Sequence, residues 1–246
     1  MDSRSPGSTV PALAENHFAF MAAQRGSIRR TATSIELIGR AEFLSWWTPL
    51  TSSAEVPESA RCVRLFSWHN ESWSGRLHDL GFTATGQLSY MEAPLTPGRI
   101  ELPEGVSVAA VAADEDAVAF SETQAEGFLS PNDPMAQWWR PVLREVALHN
   151  YQNPAEHFYL LRYAGEPAAV SLTLTTGRLS GIYAVATPPM YRRRGFATVL
   201  LERIRHDAHR RGDTTLGLQV EVGSAAEHLY LKAGFTSSFL STIYER

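Results

Sequence analysis

Cysteine is almost missing from this chain. Cys62 stands alone among 246 residues, so no internal disulfide forms, and a cysteine framework or a cysteine-based zinc site is excluded. Long apolar runs are missing too. None approaches the ~18 residues that a membrane-spanning helix needs, and no charged-then-apolar leader precedes a small-residue cleavage site. The expected location is therefore the cytoplasm, with no membrane partner. A basic excess is also lacking: 22 Lys and Arg against 26 Asp and Glu leave a net charge of −4, which argues against nucleic acid as a partner. His17, His69 and His78 have no neighbour at helical spacing, so no metal site is expected.

What is present is the composition of a globular protein, 44% hydrophobic and 20% charged. The clearest break is Ala93-Pro94-Leu95-Thr96-Pro97-Gly98, whose two prolines and glycine read as a linker. It divides the chain into residues 1–97 and 98–246.

Beyond the linker, strands and helices alternate. Val106–Val111 reads as a strand, Asp114–Phe128 and Trp138–His149 as helices. His157–Tyr163 and Ala168–Thr175 read as strands around the turn Ala164-Gly165-Glu166-Pro167, with Ser180–Ala186 pairing next. In Gly195–Arg211 the residues Phe196, Leu200, Ile204 and Ala208 recur at i+4, and Gly212 stands at the stop position. Thr214–Val222 alternates as a strand. Ser224 with Glu227 makes a capping box for the helix Ser224–Ala233, and Phe235–Tyr244 is the last strand. The fold class is α/β or α+β, a mixed central sheet flanked by helices, preceded by a smaller α/β half-domain.

That smaller part reads as a helix (Pro11–Gln24), strands (Ser27–Ile38, Glu42–Trp47, Arg61–Trp68), a helix (Ser72–Leu80) and a strand (Thr83–Glu92). Its tail echoes the end of the chain. A shift of 153 (234 − 81) lays Leu80-Gly81-Phe82 on Ala233-Gly234-Phe235, Leu65 on Leu218 and Asn70 on Gly223, the mark of a degenerate internal repeat.

The segment Arg192-Arg193-Arg194-Gly195-Phe196-Ala197-Thr198 joins a strand to a strongly amphipathic helix. Physically it is an anion receptor. A helix start offers unpaired N–H groups and partial positive charge, Gly195 admits close backbone approach, small Ala197 keeps the first turn open, and the arginines add charge.

Together with Leu229-Tyr230-x-x-x-Gly234-Phe235 about 30 residues on, the block from Gly181 to Thr198 resembles the GCN5-related N-acetyltransferase (GNAT) family. That family's Arg/Gln-x-x-Gly-x-Gly/Ala loop binds the CoA pyrophosphate through backbone amides. Arg192, Gly195 and Ala197 hold its marked positions here, with Arg193, Arg194, Phe196 and Thr198 between and beside them. The resemblance covers about residues 104–246. It implies that Val185-Ala186-Thr187, ahead of Pro188-Pro189, is the splayed strand that pairs with the pantetheine arm, that Tyr230 protonates the departing thiolate, and that acetyl-CoA is the co-substrate without a metal. Many members carry Asn three residues before the Ala of the last helix. Here Gly223 precedes Ala226, so that contact is lost.

The reaction so implied is acetyl transfer to a primary amine, of a small molecule or a protein. It needs a base to take the ammonium proton. Glu126, Glu156, His157 and Glu221 are candidates, and the sequence does not choose among them. Phe128, Trp138 and Trp139 fall on the expected acceptor side, where core packing is their competing role. In the first segment Leu77 takes the place of Tyr230 and no glycine loop precedes it, so residues 1–97 are expected to bind no cofactor. They are left as scaffold, acceptor-site wall or the surface of a homodimer, with Trp46, Trp47 and Trp68 as packing. The alternative from a different class is a CoA-binding sensor or interaction module without turnover.

Overall fold

The computed structural model describes residues 10–69, 71–130 and 132–246. Asn70, matched above to Gly223, lies outside the described residues, as does the polar start of the chain. The chain forms two compact units: Met1–Ala93 with Gly217–Arg246, and Pro94–Leu216. The first cut falls within the proline-rich linker. The second falls inside a strand, so the last 30 residues, numbered 217–246, belong with the N-terminal part.

The first unit contains α1 (Ala12–Arg25), β1 (Gly26–Arg30), β2 (Ser34–Gly39), β3 (Trp46–Pro49), β4 (Cys62–Phe66), α2 (Ser72–Asp79) and β5 (Thr83–Pro94). The single strand expected over Ser27–Ile38 is instead a hairpin. The Thr31 hydroxyl accepts the N–H groups of Thr33 and Ser34 at 3.2 and 2.9 Å, a hydroxyl-based turn that needs neither glycine nor proline. The strand expected at Glu42–Trp47 begins later, because Glu42–Leu44 winds into a 3-10 turn and only Trp46–Pro49 is extended. Along β4, side chains alternate between faces as strand geometry requires. Val63 and Leu65 pack with Trp73 and Leu77 of α2 and with Phe82. Phe66 meets Phe18 of α1, ring centroids 5.9 Å apart.

The second unit holds β6 (Val106–Ala110), α3 (Asp114–Phe128), α4 (Ala136–Asn150), β7 (Glu156–Tyr163), β8 (Glu166–Thr176), β9 (Leu179–Ala186) and α5 (Phe196–Arg211). Its strands lie in the order β9-β8-β7-β6, each antiparallel to its neighbour. Ala168–Leu174 of β8 is buried without alternation, the signature of a strand covered on both faces. The helices α3 and α5 supply the cover. Ala164 and Gly165, at φ 50 and 89, make the left-handed two-residue turn between β7 and β8. Gly212, at φ 85, ends α5 by donating to the Ala208 and His209 carbonyls.

The chain then runs through β10 (Thr215–Glu221), α6 (Ala225–Lys232) and β11 (Thr236–Glu245). Glu227 N–H donates to the Ser224 hydroxyl at 3.1 Å, and the Glu227 carboxylate accepts from Gly223 N–H at 2.7 Å. The capping box is present, with its return bond one residue early. Within the first unit the strand order is β1-β2-β3-β4-β11-β5-β10. β3 pairs with β4 in parallel, while β1 with β2, β2 with β3, and β11 with β4 and β5 are antiparallel, so this sheet is mixed.

The repeat is visible in the hydrogen bonds. Phe82 N–H donates to Leu77 O at 2.9 Å and Phe235 N–H to Tyr230 O at 3.0 Å; Gly81 donates to His78 O and Gly234 to Leu231 O, at 2.9 and 3.1 Å. Each partner pair differs by 153. The order β4-β11-β5-β10 also maps onto itself reversed when β4 exchanges with β10 and β5 with β11. The two copies have therefore exchanged their final strands.

Candidate functional site

The second unit builds its site around the end of β9. Leu172 pairs with Tyr183 and Val170 with Ala186, so Ala184 and Val185 together stand opposite Ser171 alone. This is a bulge, and Ala184 takes the left-handed φ of 53 that it demands. The Ser171 hydroxyl donates to Tyr183 O at 3.3 Å beneath it. The β8–β9 ladder is interrupted at Ala184 and Val185 and resumes at Ala186, which pairs with Val170.

The chain next turns through Pro189–Tyr191 and enters the arginine loop, where Arg193 and Gly195 both have positive φ, 65 and 79. Left-handed residues this close to a helix start turn successive N–H groups toward one side, the geometry of an anion nest. Among the described residues, no backbone N–H from Arg193 to Ala197 has a partner. The first donors used are Thr198 and Val199, both to Gly195 O. Five successive free donors at a helix N-terminus suit an anion carrying several oxygens, such as a pyrophosphate. A Cβ on Gly195 would meet no protein atom within 4 Å, so the protein itself opposes a side chain there only through φ.

The arginines do not act alike. The Arg192 guanidinium donates to Thr187 O through Nε and to Gly127 O through Nη2, each at 3.0 Å. It ties the loop to the residue that follows β9 and to the last turn of α3. Arg194 lies over the rings of Tyr163 and Tyr191, at 5.3 and 5.9 Å. The two rings also flank buried Phe196, at 5.6 and 6.5 Å. Among the described residues, the Arg193 side chain alone of the three makes no hydrogen bond, ion pair or ring contact.

Gly127 was not foreseen. A Cβ there would sit 2.8 Å from Ala186 Cβ and 2.9 Å from Thr187 N, so only glycine lets α3 approach the bulged strand this closely. A glycine inside an otherwise regular helical pattern was the available signal. Phe128, next to it, is exposed. Trp138 and Trp139 stack edge-to-face at 4.8 Å, half-buried at the start of α4.

The candidate bases are scattered. Glu126 is exposed on α3. Glu156 and His157 pair with Leu174 and Thr173, at the end of β8 away from the bulge. Burial, then Arg211, lowers the His157 pKa below the usual imidazole value. In the first unit Glu221 is exposed. Tyr230, on α6, is 8% exposed, its ring edge-on to Phe235 at 5.7 Å, and burial pushes its phenol up to about 12. Among the described residues, no three His, Cys, Asp or Glu side chains form a metal-sized group, and no helix is long and apolar enough to cross a membrane.

The sequence model of the Acetyltransferase (GNAT) family matches residues 108–235, just over half of the chain. No curated protein matches it. Solved structures share the fold. The GCN5-related N-acetyltransferase from Kribbella flavida aligns over 95% of this chain and 93% of its own, at 16% identity and TM-score 0.67. The one from Sphaerobacter thermophilus aligns over 87% and 76%, at 16% identity and TM-score 0.60. A tandem GNAT protein from the clavulanic acid biosynthesis pathway aligns over 89% and 80%, at 12% identity and TM-score 0.57.

Proposed function

This chain belongs to the acetyltransferase (GNAT) family, and from that premise we propose that it transfers an acetyl group from acetyl-CoA to a primary amine. The observation that carries the reading is the run of unused N–H groups from Arg193 to Ala197. It suits the CoA pyrophosphate through direction and number of donors, with the helix dipole and the nearby arginine charge in support. Arg192 holds this loop to Thr187 and Gly127, so the anion site and the bulged strand form one braced piece.

In the reaction, the neutral amine attacks the thioester carbonyl carbon. A C–N bond forms, the C–S bond breaks, the nitrogen gives up a proton and the sulfur takes one. Backbone amides at the bulge formed by Ala184 and Val185 are the donors we assign to the carbonyl oxygen as charge develops on it. Tyr230 is the family's candidate for the sulfur's proton. A phenol at about 12 keeps its proton throughout neutral pH. No side chain is assigned as base, and a water chain serves equally well.

The test is titration with CoA and acetyl-CoA. Stoichiometric heat and a raised melting temperature are expected, since a ligand of the folded state stabilises it by mass action. No heat and no shift at millimolar CoA overturns the reading. The second reading, a CoA-binding module without turnover, is favoured by the scatter of the candidate bases, Glu126 exposed on α3 and Glu156 buried at the start of β7. It predicts binding without CoA release across an amine panel.

A further inference from the structure

The linker does more than join. From Pro94 to Gly105 it runs over α5, fixed by Leu95 N–H to Thr214 O at 2.9 Å and by Arg99 N–H to the Glu202 carboxylate at 2.9 Å. Gly98 is in such close contact with Glu202 O and His206 N that a Cβ has no room. Beyond this pinned point the strap stands away from the helix and leaves a cavity of about 240 Å³, lined by Arg99, Ile100, Glu101, Leu102, Thr198, Val199 and Glu202.

Two walls are apolar and open. Ile100 and Leu102 are 41% and 45% exposed, and Val199 faces them from the helix. The Thr198 hydroxyl has no partner among the described residues. Glu202 is occupied by Arg99 N–H and by Arg205, 3.6 Å away, while Arg99 stands at the rim, 89% exposed. Thr198 follows Ala197 directly, so the cavity wall starts about 4 Å, one Cα step, from the last free N–H of the nest. A flat, weakly polar group joined to an anion held on that nest fits this place, and the carboxylates of Glu101 and Glu202 disfavour a second anion deep inside it.

We propose that the strap cavity receives the nucleoside end of the ligand whose phosphates occupy the Arg193–Ala197 nest. The inference rests on the CoA reading above and adds a binding element outside the family's loop. Ile100, Leu102 and Val199 contact the base, and Thr198 offers it a hydrogen bond. The strap thereby couples the linker to cofactor affinity.

The experiment is calorimetric titration of CoA and of 4′-phosphopantetheine, which lacks the nucleoside, into the full chain and two opposite variants. Ile100→Ala with Leu102→Ala empties the apolar wall, and Val199→Trp fills the space. Each should weaken CoA by roughly tenfold, the ratio expected from losing one or two apolar contacts, and change 4′-phosphopantetheine less than twofold. Unchanged CoA affinity in both variants, or equal loss for both ligands, overturns the proposal. Failure of the CoA reading looks different, because the unmodified chain then binds neither ligand.

Discussion

The segments β4–α2–β5 and β10–α6–β11 share a backbone plan and differ in what it carries. Both helices have eight residues and end on a left-handed glycine followed by a buried phenylalanine. At equivalent places the first copy has Leu77, fully buried, and the second Tyr230. The first has Tyr90, bonded to His17, where the second has Ile243. The same shift puts Glu42 under Gly195 (195 − 153 = 42), but a 3-10 turn and the strand β3 follow Glu42 where α5 follows Gly195, so the repeat does not extend that far. The second copy thus carries a phenol where the first has a leucine, while the first buries its own phenol, Tyr90, against His17. Backbone punctuation survives divergence because left-handed φ leaves few alternatives to glycine. Side chains at the same places have no such constraint.

The largest effect should come from separating the copies. β11 lies between β4 and β5, with Phe239 packed on Tyr90 and Phe66, centroids 4.6 and 6.2 Å apart. A fragment of residues 1–93 lacks this central strand and should show no cooperative unfolding transition. Linking residues 217–246 to it should restore one, followed by the fluorescence of Trp46, Trp47, Trp68 and Trp73. A cooperative transition in residues 1–93 alone would show that the exchanged strand is dispensable.

Gly195→Val is next. A branched side chain at φ +79 costs about 1–2 kcal/mol in backbone strain and stands before the nest. Losing two charge-assisted hydrogen bonds at ~1.5–3 kcal/mol each should weaken CoA at least about a hundredfold, while melting drops only a few degrees. Titration and melting on one preparation separate the two, and wild-type affinity removes the loop from the site.

The elements and the loop were legible because they rest on local rules: the i+4 stripe of α5, the cap at Ser224, the stop at Gly212. What escaped was set by distant partners. Nothing near Arg192 announces that its guanidinium holds Thr187 and Gly127, nor does the text around Ala184 show a bulge, since an alanine rarely takes positive φ. The linker was visible as prolines, but its course over α5 depends on Gly98 meeting Glu202. The destination of β11 was hidden for the same reason: exchanging the last strands of two similar copies leaves each local pattern intact.

Tyr230→Phe sharpens the contrast with Leu77. If the hydroxyl donates to sulfur, turnover should fall about 10²-fold, the low end for a general acid because a thiolate leaves readily. CoA affinity should hold, since the ring still packs on Phe235. Leu77→Tyr, at the fully buried counterpart, should cost about 1–3 kcal/mol through overpacking and leave catalysis unaltered. Steady-state kinetics with an amine from the panel decides. Unchanged turnover with the chemical step rate-limiting makes Tyr230 a packing residue like its counterpart.

The smallest effect tests what the first copy did with its polar groups. His17 Nδ1 lies 2.6 Å from the Tyr90 hydroxyl in the core between α1 and β5. Burial, then the charges of Arg64 and Arg25, lowers the imidazole pKa well below 6.5, so the ring is neutral in the folded chain. The unfolded chain, with its pKa near 6.5, takes up the proton first as the solution is acidified. His17 therefore contributes stability that is present above pH 6.5 and is lost as pH falls below it. Burial moves Tyr90 the other way, up to about 12, so the phenol stays protonated across this window and leaves the slope to histidine. His69 and His157 are lowered too, also by burial first, and add to the slope. The melting temperature should fall between pH 7 and 5, and His17→Phe should flatten that fall without abolishing it. The variant starts lower at pH 7, by about 1–3 kcal/mol, because the Tyr90 hydroxyl loses the imidazole as a partner. Baseline and slope thus move in opposite directions, a pattern that loss of packing alone does not give. Equal slopes in the two proteins would mean that the His17 imidazole titrates alike in the folded and unfolded chain, and a steeper fall in the variant would mean that it carries a proton in the folded state.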